Sequence, residues 1–276
     1  MRESVPPETI RAAVTGDPAS LEAIVRAVQD PVYGIALRML WHPEDAGDAT
    51  QEILIRVVTR LGQFRGESAF STWVYRIAVN HLLNVRKSRL ESQDYTFARF
   101  GSELDAGLEE SIAGDGISPE ERILVEEIKI GCTLGMLTCL DREHRLAYIL
   151  GEILEMEGPE AASVLEIGEA AYRKRLSRAR SEIIDFTRRK CGLVNEANRC
   201  QCRKRVKSAL EAGRIVPGKP LFALAVTESE KAETLHHVRQ LEEMRRMASI
   251  YRSHPRFQAP GDFARAIREL TRVEGR

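Results

Sequence analysis

Apolar residues recur every three or four positions along most of this chain, and that period restricts the fold to packed helices more firmly than any other feature of the sequence. Leu21, Ile24, Val25 and Val28 carry it first, then Ile53, Leu54, Val57, Val58 and Leu61. Further on it returns in Ile123, Val125, Ile128, Leu134 and Leu137, and again in Leu146, Tyr148, Ile149 and Ile153. Strand-like alternation is missing, so the expected class is all-α. Asp17-Pro18 opens one helix with a cap and a first-turn proline. His42-Pro43-Glu44-Asp45 opens another, with carboxylates at the positive end of the helix dipole.

Breaks in the period divide the chain. Residues 7–90 read as one small helical domain. Residues 91–118 hold Gly101, Gly107, Gly114 and Gly116 among acids and serines, the composition of a flexible acidic linker. A second helical domain is expected over 119–190. Beyond it lie a basic, cysteine-bearing segment and a helical C-terminal extension, residues 191–276. The extension is broken at Val216-Pro217-Gly218-Lys219-Pro220, with a long helix expected from about Glu228 to Arg252 and a short one from Asp262 to Arg272.

Formal net charge is zero, with 41 basic and 41 acidic residues, but the charges are segregated. Glu91 to Ile130 holds eleven acidic residues against three basic, whereas Ala170 to Arg214 holds fourteen basic against four acidic. One block repels a polyanion and the other attracts it. No stretch approaches the roughly 18 to 20 apolar residues of a membrane span, so a cytoplasmic protein is expected. Nor does any phosphate-cradling glycine loop, triad spacing or complete metal motif point to an enzyme.

The second domain contains a short helix, Glu160 to Leu165, a turn at Glu166-Ile167-Gly168, and a helix from about Glu169 to Phe186. Two helices meeting steeply at such a turn let the second enter a major groove. Arg173, Lys174, Arg175, Arg178 and Arg180 crowd that second helix, while Leu176, Ala179, Ile183 and Ile184 supply its apolar stripe. A charge run alone is more often a solvated face; the helix-turn-helix spacing turns the reading toward duplex DNA.

In the first domain, Asp45 to Glu52 concentrates carboxylates on one helix without a companion His, Cys or glycine loop. A docking surface or solvated face suits it better than catalysis. The loop Phe64 to Phe70 then runs into an aromatic helix followed by Tyr75, Arg76, Asn80, His81, Asn84, Arg86, Lys87 and Arg89, a set suited to capturing unstacked bases. Phe70, Trp73 and Ile77, at helical spacing, read as core.

Residues 45 to 88, DAGDATQEILIRVVTRLGQFRGESAFSTWVYRIAVNHLLNVRKS, resemble region two of extracytoplasmic-function RNA polymerase sigma factors. Residues 137 to 180, LTCLDREHRLAYILGEILEMEGPEAASVLEIGEAAYRKRLSRAR, resemble their region four. The resemblance implies a stress-response type of transcription factor that binds core RNA polymerase and promoter DNA and is not itself an enzyme. It places Asp48, Gln51 and Glu52 against the polymerase. It places Phe64, Arg65, Ala69, Arg76, Asn80, Arg86 and Lys87 at the minus-ten element, with Phe64, Ala69 and Asn80 near a flipped base. Arg173, Lys174, Ser177 and Arg178 would read the minus-thirty-five element. An anti-sigma partner is conceivable on the same grounds. Asp141 stands where the family usually has proline. The alternative is a helix-turn-helix repressor or activator that acts without polymerase, for which a melted-strand loop beside an acidic docking helix would have no use.

Cys191, Cys200 and Cys202 lie close enough in sequence to share a zinc or copper ion, but a fourth ligand is not evident nearby, and His236 or His237 could complete the set only if the tail folds back. Flanking Arg199, Arg203, Lys204 and Arg205 would instead lower the thiol pKa values and favour redox chemistry. The plainest reading leaves the thiols unliganded, with Cys132 and Cys139 in the core. The long helix of the extension carries Leu235, Val238, Leu241, Met244, Met247, Ala248 and Tyr251 near one face, a stripe expected to pack on the two domains.

Overall fold

In the computed structural model of the chain, residues 5–85, 95–108, 118–222 and 243–273 are described. They form helices α1 (Pro7–Val14), α2 (Pro18–Leu40), α3 (Pro43–Thr59), α4 (Phe70–Asn84), α5 (Phe97–Ala106) and α6 (Pro119–Thr138). These are followed by α7 (Arg142–Tyr148), α8 (Gly158–Val164), α9 (Glu169–Lys190), α10 (Val206–Glu211), α11 (Glu243–Arg252) and α12 (Phe263–Val273). Strands are absent among the described residues, as the periodicity requires. Contacts divide the chain into two units. One comprises residues 1–86, 157–172 and 256–276, the other 87–156 and 173–255.

The first unit is built around α2, which starts where the sequence places it: Asp17 accepts from the amide of Ser20 at 2.9 Å, with proline in the first turn. It ends on Trp41, whose φ of 63° is left-handed. Ile24, Val25, Val28 and Val32 of α2, Ile53, Leu54 and Val57 of α3, and Val74, Ala78 and Leu82 of α4 are all buried. At about 1.5–3 kcal/mol for each large side chain buried, this stripe decides which face of α3 remains outside. The C-terminal helix α12 joins the same unit through Ala264 and Ile267. It is held by Arg26 on Asp262 at 3.3 Å and by an ion pair between Arg268 and Glu22.

In the second unit, Ile130, Leu134 and Leu137 of α6 are buried with Leu146, Tyr148 and Ile149 around α7 and with Ala179, Ile183 and Phe186 of α9. Asp141 accepts from the amide of His144 at 2.9 Å, so the residue that replaces the usual proline caps α7 by another route. The last turn of α7 continues as a π-wound segment, Ile149–Ile153.

Within residues 91–118, expected to be a flexible linker, the described residues 95–108 are largely helical. They contain α5, whose Phe100 stacks on Phe186 with ring centroids 5.5 Å apart and whose Leu104 is buried. Phe97, Phe100 and Leu104 stand at helical spacing, a signal masked in the sequence by the surrounding glycines and acids.

Of the extension, α11 buries Met247, Ala248 and Tyr251, and the Tyr251 hydroxyl donates to the carbonyl of Thr133 at 2.8 Å. The remainder of the expected long helix, including Leu235, Val238 and Leu241, lies outside the described residues, as does the Met244 side chain.

Candidate nucleic-acid interface

Three surfaces answer to the residues singled out in the sequence. On α3, the buried stripe of Ile53, Leu54 and Val57 turns Asp48, Gln51 and Glu52 to solvent, where all three are exposed. Glu52 lies 4.0 Å from Arg56 and 3.8 Å from His81. His81 is itself buried, and desolvation, reinforced by the charge of Arg56, holds its pKa below the ordinary histidine value despite the opposing pull of Glu52. A neutral imidazole is what this core accommodates.

The loop between α3 and α4 lies next. Gly66 has φ of 74°, a left-handed conformation that glycine adopts without a Cβ penalty and that turns the chain back toward α4. Phe64 is half-buried, its ring 5.3 Å from Phe70 and 5.6 Å from Trp73. Phe70 is 8% exposed, in keeping with a core role, whereas Arg65 and Ala69 stand in solvent. The loop and α1 together line a cleft of about 880 Å³, with Ile10, Val14, Phe64 and Ala69 on its walls and Arg11 and Arg65 among its polar groups. An apolar cleft bearing guanidinium groups is chemically suited to an unstacked base attached to a phosphate backbone. The share of α1 in that cleft had no signal in the sequence.

Arg76 and Asn80, on the same helix as Thr72, are engaged by α8. Thr72 donates to Glu160 at 2.7 Å, and Arg76 donates to the Ser163 hydroxyl at 2.9 Å and to its carbonyl at 3.3 Å. Asn80 donates to Glu166 at 3.1 Å. These partners lie 86 to 88 residues away in the sequence, beyond the reach of local pattern. Arg86 and Lys87 lie outside the described residues.

The helix-turn-helix forms with α8 starting at Gly158-Pro159 and a turn in which Glu166 adopts φ of 54°. The amide of Ile167 bonds back to Ala162 at 3.1 Å, ending α8 before α9 begins. On α9, Leu176, Ala179 and Ile183 are buried, while Arg173, Lys174, Ser177 and Arg178 are exposed. The crowded cations prove unequal. Arg175 is half-buried in an ion pair with Glu143 at 2.7 Å, and Arg180 is paired with Glu152. Arg178 contacts Glu182 at 3.2 Å but keeps 73% of its side chain exposed, and a pair that open exchanges readily for phosphate or a base edge.

The thiols differ from their sequence reading. Burial pushes Cys191 and Cys202 upward and Cys200 up to about 11, outweighing the neighbouring cations. Of those cations, Arg203 is committed to Glu121 at 2.6 Å and Arg205 to the carbonyl of Leu104 at 2.9 Å. The expected lowering of the thiol pKa values is therefore overturned, because desolvation of a thiolate costs more here than the cations return.

Among the described residues, no helix is long and apolar enough to cross a membrane. The family model described as Sigma-70 region 2 matches residues 24–90. The chain is 32% identical over 173 residues to the RNA polymerase sigma-H factor of Pseudomonas aeruginosa, covering 61% of this chain and 86% of that protein. It is 30% identical over 175 residues to the ECF RNA polymerase sigma-E factor of Escherichia coli, with 61% and 86% covered. It is 28% identical over 175 residues to the ECF RNA polymerase sigma factor SigW of Bacillus subtilis, with 63% and 92% covered.

Proposed function

The chain belongs to the extracytoplasmic-function RNA polymerase sigma factors, and on that premise we propose how its surfaces divide the work of transcription initiation. A sigma factor binds core RNA polymerase and promoter DNA. Here Asp48, Gln51 and Glu52 on α3 form the polymerase contact. The cleft beside Phe64 and Ala69 receives an unstacked base of the minus-ten element, and Arg76 and Asn80 hold the adjoining strand. Arg173, Lys174, Ser177 and Arg178 read the minus-thirty-five element as duplex. The protein acts in the cytoplasm and is regulatory, not catalytic.

The observation that carries this reading is the pairing, in one chain, of an apolar cleft rimmed by guanidinium groups with a basic helix-turn-helix face. Extruding a base costs only a few kcal/mol, within reach of stacking and hydrogen bonds in such a cleft. Run-off transcription with purified core polymerase on a library of genomic promoters is the direct test. Start sites that share elements near minus ten and minus thirty-five are the expected result. A chain that ignores core polymerase and binds closed duplex alone would instead be the repressor or activator named above.

Strand capture has to displace Glu160, Ser163 and Glu166 from α4. Each such hydrogen bond contributes about 0.5–1.5 kcal/mol net, so E160A/E166A, which removes two, should raise affinity for a single-stranded minus-ten oligonucleotide by about 5- to 150-fold. Fluorescence anisotropy with a labelled strand measures it. Unchanged affinity would mean that α8 does not compete with the strand.

A further inference from the structure

Four cysteines from separate elements converge in the second unit. Cys191 follows the last turn of α9, its amide still bonded to Thr187 at 2.8 Å. Its backbone then pairs with that of Cys200 in a parallel bridge, with Gly192 donating to the Cys200 carbonyl at 2.9 Å. The approach is so close that a Cβ on Gly192 would stand 2.5 Å from that carbonyl oxygen, so a glycine is required after the first cysteine. The amides of Val194 and Asn195 turn back to the Cys191 carbonyl at 3.2 and 3.0 Å, closing a tight turn beside the bridge.

Cys202 opens a short 3-10 turn, Cys202–Arg205, and packs against the cluster formed by Ile128 of α6 with Ala209 and Ile215. The ion pair between Arg203 and Glu121 ties the same turn to α6. Cys132 lies one helical turn beyond Ile128, on the same face of α6. A negative charge on Cys191, Cys202 or Cys200 raises the Cys132 thiol further. The fourth donor that the sequence around Cys191 lacks is therefore supplied from about 60 residues upstream.

We propose that Cys132, Cys191, Cys200 and Cys202 bind one zinc ion as a closed four-thiolate site that fastens the end of α9 and the segment after it to α6. An all-thiolate set with no open position suits a structural zinc site. Arg205 acts on Cys200 and Cys132, and Lys129, paired with Glu126 at 2.5 Å, on Cys202, so the cations around the thiols are partly offset by Glu126 and Asp105. Among the described residues no group of three or more such side chains is already placed to hold a metal ion, so binding has to draw the four thiols together. Binding releases the thiol protons, and affinity accordingly rises with pH.

The test uses the full reduced chain. Elemental analysis should find one zinc per chain. After chelation, Co²⁺ should produce the sulfur-to-metal charge-transfer and d–d bands of a tetrahedral four-thiolate site, bleached by one equivalent of zinc. C132S should shift the d–d bands and weaken zinc binding at least tenfold, while C139S should leave both as they are. If C132S fails to fold, thiol alkylation of the unsubstituted chain decides. Zinc should then protect Cys132, Cys191, Cys200 and Cys202 together, but not Cys139. Absence of stoichiometric metal, a Cys191–Cys200 disulfide in its place, or protection that omits Cys132 would overturn the proposal.

Discussion

Replacing Arg145 with alanine should destabilise the second unit by about 2–6 kcal/mol, from two buried carbonyls left unsatisfied at about 1–3 kcal/mol each. Arg145 is 1% exposed, and its guanidinium donates to the carbonyls of Leu137 at 2.8 Å, Thr138 at 3.1 Å and Leu140 at 2.9 Å. These acceptors lie at the end of α6, where a helix leaves carbonyls without an internal partner. Removing the guanidinium leaves the Thr138 and Leu140 carbonyls without that donor in an apolar interior, Leu137 still accepting from the Leu140 amide at 3.1 Å, and opens a cavity. R145K keeps the charge, but a point ammonium cannot reproduce the planar fork, so it should recover only part of the loss. Both tryptophans, Trp41 and Trp73, lie in the first unit. Hydrogen exchange of α6 and α7 is therefore the measurement, with tryptophan fluorescence reporting on the first unit. Unaltered exchange in R145A would show that α6 ends without this cap.

The double substitution R173A/R178A should remove most discrimination at the minus-thirty-five element. Each lost bidentate base contact costs about 1–3 kcal/mol, so together they amount to about 2–6 kcal/mol if the two act independently. The two residues are five positions apart on one helix, so the single variants must be measured as well. Run-off transcription on promoters with and without base changes in that element provides the readout. Wild-type discrimination retained by the double variant would exclude these arginines as readers. R175A and R180A should behave differently: their ion pairs with Glu143 and Glu152 tie α9 to its own unit. Loss of either should register first in stability, and only secondarily in promoter choice.

Much of this protein could be read from local pattern. The helical class, the caps at Asp17 and the opening at Pro43, the helix-turn-helix and the exposed acidic face of α3 all depend on residues within about one or two helical turns of one another, the range over which propensity and capping act. The stretch 91–118 shows where that reading fails. Counting acids and glycines hid Phe97, Phe100 and Leu104, whose apolar spacing needed Phe186 as a partner before it meant anything.

By itself the sequence determined that the chain would be helical, where most helices would begin, and which family it would resemble, because those properties reside in short-range spacing and in contiguous motifs. Only the tertiary structure decided which cations of α9 are held in ion pairs, that α8 packs on the side of α4 that carries Arg76 and Asn80, and that the turn opened by Cys202 is tied to α6, the helix of Cys132. Each of these joins groups tens of residues apart. Packing selects such partners through the burial of many side chains at once, and no single segment carries that information.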